Sequence, residues 1–423
     1  MNLKILFISP QNIIPPTDGG KQSIYYPLKY LAKQKNIEVY SIIIAHKDEK
    51  VIKKEYIKLG LEDLEIIYLD KSDKSSKLIR NVFKKLPFKW SKYVSKESKS
   101  IALNFARKIK PNIVICSAPH TLVYGLEIKK ILNIPIILRE HNIEYKLVEQ
   151  FYRLTNNPLY KIIGLWQFYK TYNQEKRYWD LADKVLFISD SDYQIAYKEC
   201  QNLSYKFHIL YDGFEITKKS ETLIYDKREA NSLIISAPIK SSLQNLYNLK
   251  WFIDKIWKKF VSLNKDYKLY LTGSTEKDLE KILKLNKQDL KKLNIINLGF
   301  VENINKVIAT KKYFISPTIF GSGIRLKVLH ALSLGMPVFL TEIDYKTVGD
   351  FRDMENVILF RTYDEFVEKL RQIEEDQDLY IKISLNAQKL ILNRLNWEKY
   401  ISEIMDIITS LRKEMFNESP LHA

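Results

Sequence analysis

The chain has 423 residues, 46% of them hydrophobic, which is enough for two domains with cores of their own. Its two cysteines argue against a disulfide-stabilised scaffold and are typical of a protein in a reducing cytoplasm. The formal net charge of +18 suits an anionic partner, but no zinc-finger or RNP motif accompanies it, so we expect no nucleic-acid partner.

The N-terminal segment MNLKILFISPQN carries an apolar run of strand length that leads straight into turn residues. We therefore expect a first β-strand there and no signal peptide. No apolar run reaches the ~20 residues that a membrane-spanning helix needs. The expected location is the cytoplasm, with the protein either soluble or peripheral at the inner face of the cytoplasmic membrane.

Short apolar runs alternate with helical patterns through the first half of the chain. Near-continuous β-branched runs are typical of parallel strands that are covered on both faces. This repeated βα winding predicts a Rossmann-like N-terminal domain over residues 1–205. The predicted strands lie at 3–9, 38–45, 64–69, 112–117, 134–140 and 183–189, with a helix at 121–132.

A second series of strands and helices follows a polar stretch without periodicity at about 205–230. It predicts a second Rossmann-like domain over residues 206–395, and an amphipathic helix at 396–416 that returns to the first domain. The predicted fold class is α/β, with two doubly wound parallel-sheet domains that face a cleft. The strands of the second series lie at 232–238, 267–273, 293–299, 312–317, 336–341 and 356–360.

The segment IFGSGIRLKVLHALSLG, residues 319–335, reads as a glycine turn between a strand and a helix that Gly335 closes. Gly321 and Gly323 lack side chains that would block a ligand. The N-terminus of the helix favours an anion, and Arg325 and Lys327 add positive charge. The pattern is consistent with a diphosphate site, or with a tight turn that holds no ligand.

A second glycine turn follows the first strand, where Gly19 and Gly20 precede a helix predicted from about Gln22. It lacks the GxGxxG spacing of dinucleotide binding, so NAD is not favoured. A third polar cluster lies in REHNIEY, where His141 follows a predicted strand. Ligands of open α/β sheets bind beyond the carboxyl ends of strands, so His141 is a candidate for recognition or chemistry; the alternative is a helix-capping or domain-contact role. No His or Cys pattern has metal-binding spacing, and no metal is expected.

Together these residues resemble the GT-B glycosyltransferases of family 4, also called glycosyl transferases group 1. The strongest resemblance lies in 298–341, LGFVENINKVIATKKYFISPTIFGSGIRLKVLHALSLGMPVFLT. Asn245, followed by Trp251 and Phe252, is similar to a subgroup pattern. LYDGFE, REHNIEY and NWEKYI resemble the segment that opens the family's second domain, its N-domain histidine motif and its closing tryptophan motif.

The resemblance implies a GT-B fold and retaining transfer of a sugar from a nucleoside diphosphate donor, without cofactor or metal, to a glycan or lipid-linked acceptor in surface polysaccharide synthesis. It leaves UDP and GDP unresolved. By resemblance His141 contacts the donor sugar, Gly20 approaches the donor phosphates or the acceptor, and backbone amides and basic side chains stabilise the leaving diphosphate. The implied catalytic residues are His141, Arg325 and Lys327, and the implied donor-binding residues are Gly19, Gly20, Lys240, Asn245, Gly321, Ser322, Gly323, Ile324 and His330.

The sequence departs from the family at several of these positions. In the family's Glu-x7-Glu motif the first acid corresponds to Ser322 and the second, which binds the ribose hydroxyls, to His330. A neutral imidazole makes fewer such hydrogen bonds than a carboxylate. After the first strand of the second domain only Lys240 is nearby, without the usual arginine. A catalytically weak or inactive protein that binds a glycan or a partner is therefore the alternative, and a related GT-B epimerase is less favoured.

The positive charge is concentrated in residues 71–110, which hold thirteen Lys or Arg and two Asp or Glu. Within it, residues 76–96 interleave Leu, Ile, Val, Phe and Trp with Lys and Arg. Such a segment can lie on an anionic membrane surface, and this predicts peripheral membrane association through 76–96. A Lys-rich solvated surface is the alternative reading.

Overall fold

A computed structural model of the chain describes residues 2–69, 85–214, 228–240, 242–301 and 304–417. The chain divides into two compact units, the first formed by Met1–Asp212 with Trp397–Ala423 and the second by Gly213–Asn396. The sequence prediction had placed the limits after residues 205 and 395. Each unit contains one parallel sheet with helices around it, which confirms the predicted α/β class with two Rossmann-like parallel-sheet domains.

The first unit is built on seven parallel strands. They are β1 (Leu3–Ser9), β2 (Ile37–His46), β3 (Asp63–Leu69), β4 (Ile113–Ser117), β5 (Ile136–Glu140), β6 (Lys184–Phe187) and β7 (Phe207–Ile209). Their order in the sheet is β3-β2-β1-β4-β5-β6-β7. The strand order reverses between β1 and β4, which is the place where doubly wound sheets bind their ligands.

Helices connect these strands. They are α1 (Gly19–Ala32), α2 (Lys53–Leu59), α3 (Phe88–Ser91), α4 (Lys96–Ile109), α5 (Leu122–Leu132), α6 (Glu144–Leu154), α7 (Pro158–Leu181) and α8 (Asp190–Glu199). Helix α1 begins earlier than the predicted Gln22, because the Asp18 carboxylate accepts a hydrogen bond from the Lys21 backbone N–H at 3.0 Å and caps the helix at Gly19.

Both faces of this sheet are buried. On β1, Ile5 and Phe7 enter the core on one face, and Leu6 and Ile8 enter the core on the other. All four are fully buried, and each such side chain contributes about 1.5–3 kcal/mol of burial free energy. This explains why the strand sequences are apolar throughout instead of alternating.

The predicted membrane segment 76–96 is only partly described, because residues 76–84 lie outside the described ranges. Trp90 is 1% exposed, and its ring stacks on that of Tyr178 with centroids 5.3 Å apart. Trp90 is therefore a core residue of the first unit and cannot contact a membrane, contrary to the prediction. Lys89 on the same short helix and Lys92, which follows its last residue, are exposed.

The second unit is built on six parallel strands. They are β8 (Glu229–Ser236), β9 (Lys268–Thr272), β10 (Ile295–Asn297), β11 (Lys311–Ser316), β12 (Val338–Leu340) and β13 (Ile358–Leu359). Their order is β10-β9-β8-β11-β12-β13, so the order reverses between β8 and β11. The loops after these two strands therefore lie at the switch point of the second sheet.

The helices of the second unit are α9 (Leu243–Phe252), α10 (Lys258–Leu263), α11 (Glu276–Asp278), α12 (Lys287–Lys292), α13 (Ile304–Ala309), α14 (Leu326–Ser333), α15 (Glu342–Tyr345), α16 (Tyr363–Glu375) and α17 (Gln377–Asn393). Turns of π-helix, Ile253–Trp257 and Leu279–Leu283, continue α9 and α11. Gly335 follows α14 with φ +64°, the left-handed conformation that commonly ends a helix, as predicted.

The last helix, α18 (Trp397–Asn417), belongs to the first unit. The Trp397 ring stacks on Tyr26 and Tyr30 of α1, with centroids 5.4 and 6.1 Å away. Trp397 is 2% exposed, so the helix is fixed by aromatic burial. The predicted return of this helix to the first domain is confirmed. Among the described residues, no helix is both long enough and apolar enough to cross a membrane.

Candidate functional site

The glycine loop of the second unit connects β11 to α14. Gly321 has φ +131° and Gly323 has φ +73°, backbone conformations that side chains with a Cβ rarely adopt. A Cβ atom at Gly321 would lie 1.9 Å from Nη2 of Arg325. Gly321 is therefore needed for two reasons, its backbone conformation and the close approach of the Arg325 guanidinium.

Arg325 is the residue that precedes α14. Its Nη1 donates a hydrogen bond to Oε1 of Gln244 at 3.1 Å, and its Nε lies 3.5 Å from Oδ1 of Asp344. The side chain is 17% exposed. These contacts fix a guanidinium group at the start of the helix, where an anion is also favoured by the helix dipole.

Lys327 lies in the first turn of α14 and points to the loop that follows β8. Its Nζ donates hydrogen bonds to the Ser236 carbonyl at 2.8 Å and to Oδ1 of Asn245 at 3.2 Å. Burial and then the neighbouring charge of Arg325 together lower the pKa of Lys327 to about 8, against an opposing effect of Asp344. A bound diphosphate would restore a full positive charge here by reversing this balance.

Two residues that the sequence analysis missed hold this loop. Asn248 on α9 accepts hydrogen bonds from the backbone N–H groups of Ile319 and Phe320, both at 3.0 Å, and donates to the Phe320 carbonyl at 3.1 Å. Asp344 accepts hydrogen bonds from Ser316 at 2.5 Å and Thr318 at 2.7 Å. Both residues are buried, and together they fix the strand end and the loop that follows it.

His330 lies in the last turn of α14. Its ring stacks on Phe214 with centroids 5.0 Å apart and an interplanar angle of 19°. Burial lowers its pKa to about 4, so the imidazole is neutral at neutral pH. Its buried Nε2 finds no hydrogen-bond partner among the described residues.

The other predicted residues of the second unit have different surroundings. Asn245 belongs to the site, since it accepts from Lys327 and donates through Nδ2 to the Pro238 carbonyl at 3.5 Å. Ile324 is buried and Ser322 is half-buried on the glycine loop. Lys240 is exposed on the turn between β8 and α9.

In the first unit, Gly19 and Gly20 form the first turn of α1 and are both exposed. A Cβ atom at Gly19 would meet nothing within 4 Å, and at Gly20 it would lie 3.3 Å from the Asp18 carboxylate. Gly20 therefore has the tighter surroundings of the two. Ser23, one turn further along α1, connects this helix start to His141.

His141 follows β5 directly and is held by two hydroxyl groups. Its Nδ1 lies 3.0 Å from Oγ of Ser23, and its Nε2 lies 2.8 Å from Oγ of Ser117, the last residue of β4. Burial, and then the nearby Arg139, lower the pKa of His141 well below its usual value. The imidazole is therefore neutral.

The tautomer of His141 follows from the charges around it. The Ser23 hydroxyl donates to the Asp212 carboxylate, so it accepts a hydrogen bond from Nδ1–H of His141. Nε2 is then an acceptor, and Nη1 of Arg139 lies 2.9 Å from it. This arrangement lets Nε2 accept a hydrogen bond from a ligand hydroxyl in exchange for one of its present partners.

Arg139 and Asp212 form an ion pair in which both side chains are fully buried. Arg139 also lies 5.8 Å from the ring centroid of Tyr400 on α18. Burial raises the pKa of Asp212, and the adjacent guanidinium of Arg139 opposes this effect. Sequence analysis missed this pair, because a single Asp in LYDGFE and a single Arg at a strand end are ordinary residues until the fold brings them together.

Clusters of His, Cys, Asp or Glu side chains could bind a metal ion. Within the described ranges, no group of three or more His, Cys, Asp or Glu side chains is arranged to hold a metal ion. The charged side chains of the second unit's site are the cations of Arg325 and Lys327 and the carboxylate of Asp344, which lies 3.5 Å from Nε of Arg325.

Two doubly wound parallel units in one chain, each with polar residues at its switch point, define the GT-B class of fold. Residues 239–376, which include the whole glycine loop, match the family model described as glycosyl transferases group 1. This match confirms the predicted resemblance to the group 1 glycosyltransferases.

A curated relative and several solved structures are similar over nearly the whole chain. An uncharacterized 44.6 kDa protein in the cps region of Klebsiella pneumoniae is 22% identical over 95% of this chain and 98% of its own length. HepE from Anabaena, solved with UDP and glucose, matches with a TM-score of 0.64 and 14% identity over 97% of this chain and 100% of that chain. The lipopolysaccharide outer core galactosyltransferase WaaB matches with a TM-score of 0.58 and 14% identity over 96% and 99%.

Proposed function

We propose that the protein transfers a sugar from a nucleoside diphosphate sugar to a hydroxyl group of a glycan or glycolipid acceptor. The observation that carries this proposal is the pair of cations at the start of α14, Arg325 and Lys327, which Gln244, Asn245 and Asp344 hold in place. The family match over 239–376 supports the same activity. HepE was solved with UDP and glucose, so UDP-sugars are the first donors to test.

The chemistry divides into bond breaking and charge stabilisation. The bond between the anomeric carbon and the diphosphate oxygen breaks, and a bond from the acceptor oxygen to that carbon forms. The acceptor's proton passes to the leaving phosphate oxygen, so the protein need not supply a separate base. We propose that transfer occurs on the face that the diphosphate leaves, with retention of configuration.

The leaving diphosphate gains negative charge as the glycosidic bond breaks. We propose that Arg325 and Lys327 neutralise this charge, in the role that a divalent cation has in metal-dependent transferases. Pre-organised groups of this kind cost little reorganisation, and removing one of them typically lowers turnover by about 10²–10³-fold. His141 is neutral with Nε2 as an acceptor, which suits a hydrogen bond to a sugar hydroxyl, the role that the resemblance implies for it.

A role in surface polysaccharide synthesis is the biological proposal. Its support is the Klebsiella pneumoniae relative, which is described as lying in a cps region, and the similarity to WaaB, a lipopolysaccharide outer core galactosyltransferase. The similarity to each of these two proteins extends over nearly the full chain.

The test is release of the nucleoside diphosphate from a panel of UDP- and GDP-sugars, with water or added glycans as acceptor. Arg325→Ala and Lys327→Ala should each lower turnover at least tenfold. Matched controls in the same unit are Arg371→Ala, 70% exposed, and Lys255→Ala, which is also exposed. Equal activity of the site variants and the controls would reject the assignment of the diphosphate to this loop.

The alternative is a weak or inactive GT-B protein that binds a glycan or a partner. The observation in its favour is His330, since a neutral ring stacked on Phe214 replaces the acid expected for the ribose hydroxyls. If wild type binds neither UDP nor GDP and His330→Glu restores binding, the result favours the weak or inactive protein. If wild type binds one nucleotide, His330 is a functional variant.

A further inference from the structure

An exposed apolar surface lies on the helical hairpin formed by α6 and α7. Helix α7 has 24 residues, but the side chains that it buries beyond Gly164 all lie in its second half, from Thr171 onward. The first half of α7 and the end of α6 are therefore covered by little except each other.

The two helices approach closely at Gly164. A Cβ atom there would lie 2.4 Å from Cβ of Tyr152 on α6, so only glycine permits this packing. Phe168 fills the next turn, with its ring centroid 6.0 Å from that of Tyr152 and 5.9 Å from that of Tyr145. The hairpin thus has an ordered aromatic interior of its own, and its outer residues are presented on a rigid support.

The outer face of α7 carries an apolar stripe. Leu159, Ile162, Trp166 and Tyr169 follow one another at intervals of three, four and three residues, which places them on one side of a helix. They are 62%, 69%, 37% and 56% exposed. At the end of α6, Phe151 and Leu154 are 48% and 42% exposed. Apolar residues at this spacing normally pack into a protein core, but here they face outward. A contiguous exposed apolar surface of this kind marks an interaction site.

Basic residues border the exposed stripe. Residues 150–174 contain three of them, Arg153, Lys161 and Lys170, and no acidic residue. Arg153 is paired with Glu149 of α6 at 2.8 Å, so the net positive charge of this stretch rests on the two lysines. The ammonium group of Lys170 lies 4.7 Å from the Trp166 ring centroid. Apolar and aromatic side chains bordered by lysine and arginine are the composition of helices that lie in the interface of an anionic bilayer.

The neighbouring basic segment adds to the same surface. The Phe88 backbone N–H of α3 donates a hydrogen bond to Oε1 of Gln167 on α7 at 2.8 Å. Lys85 and Lys92, on either side of Phe88, are exposed. The described end of the basic block therefore lies against α7, beside the apolar stripe.

We propose that the hairpin of α6 and α7 is a docking surface for an anionic lipid bilayer, with the stripe of Leu159, Ile162, Trp166 and Tyr169 inserted among the headgroups. A second copy of this chain is the less favoured occupant, because two such surfaces would bring like charges together. Anionic lipid matches the charge and the apolar face at once. The docking surface stands independently of the proposed transferase activity.

The test is flotation of the full-length protein with vesicles of phosphatidylcholine alone or of equimolar phosphatidylcholine and phosphatidylglycerol. Wild type should bind the anionic vesicles, and Ile162→Glu should weaken binding at least tenfold, since binding scales with the apolar area inserted. Leu263→Glu is the matched control, because Leu263 is 73% exposed at the end of α10 in the second unit. Circular dichroism and nucleotide binding of each variant keep folding and donor-site effects separate from lipid binding.

A second readout places the inserted residue. Brominated lipids should quench wild-type tryptophan fluorescence, and Trp166→Phe should remove most of the quenching while it preserves binding. Unchanged binding of Ile162→Glu, or binding that depends on lysines alone, would overturn the proposal. So would a wild-type protein that ignores vesicles but forms a dimer that Ile162→Glu disrupts, as measured by analytical ultracentrifugation.

Discussion

Replacing Gly321 by alanine should separate the function of the glycine loop from its stability. The new Cβ would lie 1.9 Å from Nη2 of Arg325, and 3.2 Å from Oε1 of Gln244. To restore an ordinary contact of about 3.5 Å, the guanidinium must move by roughly 1.5 Å. Such a movement breaks its 3.1 Å hydrogen bond to Gln244 and takes the charge away from the diphosphate position.

Gly321→Ala should lower both the free energy of unfolding and the affinity for the nucleotide, for different reasons. The φ of +131° at Gly321 costs about 1–3 kcal/mol of folding free energy when a Cβ is present. The displaced group is the far end of a flexible side chain, so the clash itself adds little to that cost. Loss of a charged hydrogen bond to the ligand costs about 1.5–3 kcal/mol, which is roughly 10- to 100-fold in affinity.

Isothermal calorimetry with UDP and GDP measures the affinity, and chemical denaturation measures the stability. Gly299→Ala is the matched control, because Gly299 also has a positive φ, +65°, but a Cβ there would meet nothing within 4 Å. Gly321→Ala in an Arg325→Ala background should weaken binding no further. Unchanged affinity of Gly321→Ala, or a full additional loss in the Arg325→Ala background, would refute this reasoning.

Three further predictions concern residues that the structure assigns to specific contacts. Burial and the neighbouring charge of Arg325 lower the pKa of Lys327 from 10.5 to about 8, so nucleotide affinity should fall as pH rises through about 8. The unfolded chain keeps this proton up to about pH 10.5, so the stability of the second unit should rise between pH 8 and 10.5. Lys327→Arg should flatten the pH profile of affinity measured by calorimetry, and a flat wild-type profile would contradict the assignment. Asn248→Ala leaves the Ile319 and Phe320 N–H groups without their acceptor and should lower the free energy of unfolding by about 1–3 kcal/mol, measured in urea against Asn286→Ala, an exposed cap. Asp212→Ala leaves Arg139 as an uncompensated buried charge and should lower the free energy of unfolding by about 3–5 kcal/mol. The double variant Asp212→Ala/Arg139→Met should recover part of that loss. A loss smaller than that expected for an exposed ion pair would show that the pair is not buried in solution.

The fold could be predicted from the sequence because its strands are apolar on both faces. Runs such as Leu3–Ser9 carry Ile5, Leu6, Phe7 and Ile8 without a break, and all twelve predicted strands exist. Strand β7, Phe207–Ile209, was missed, since three residues that include His208 give no periodic signal. Trp90 was placed on a membrane because alternation of aromatic and basic residues looks alike in a short buried helix and in an interfacial one.

The candidate site was predictable only where its residues are close in sequence. Gly321, Arg325 and Lys327 share one loop and one helical turn, so their spacing alone was consistent with an anion site, although a tight turn without a ligand stayed open. Asn248, by contrast, reaches the loop from a helix 71 positions away, and Asp212 meets Arg139 across 73 positions. Their residue types are ordinary for loops and strand ends, and only the folded chain shows what they contact.

The most direct test of the central claim, that the loop from Gly321 to Lys327 holds a nucleoside diphosphate, is calorimetric titration of wild type, Arg325→Ala and His330→Glu with UDP and GDP. Wild type should bind one of the two nucleotides with micromolar affinity, and Arg325→Ala should bind that nucleotide at least tenfold more weakly. Absence of binding by wild type and by His330→Glu alike, or binding that Arg325→Ala leaves unchanged, would contradict the claim.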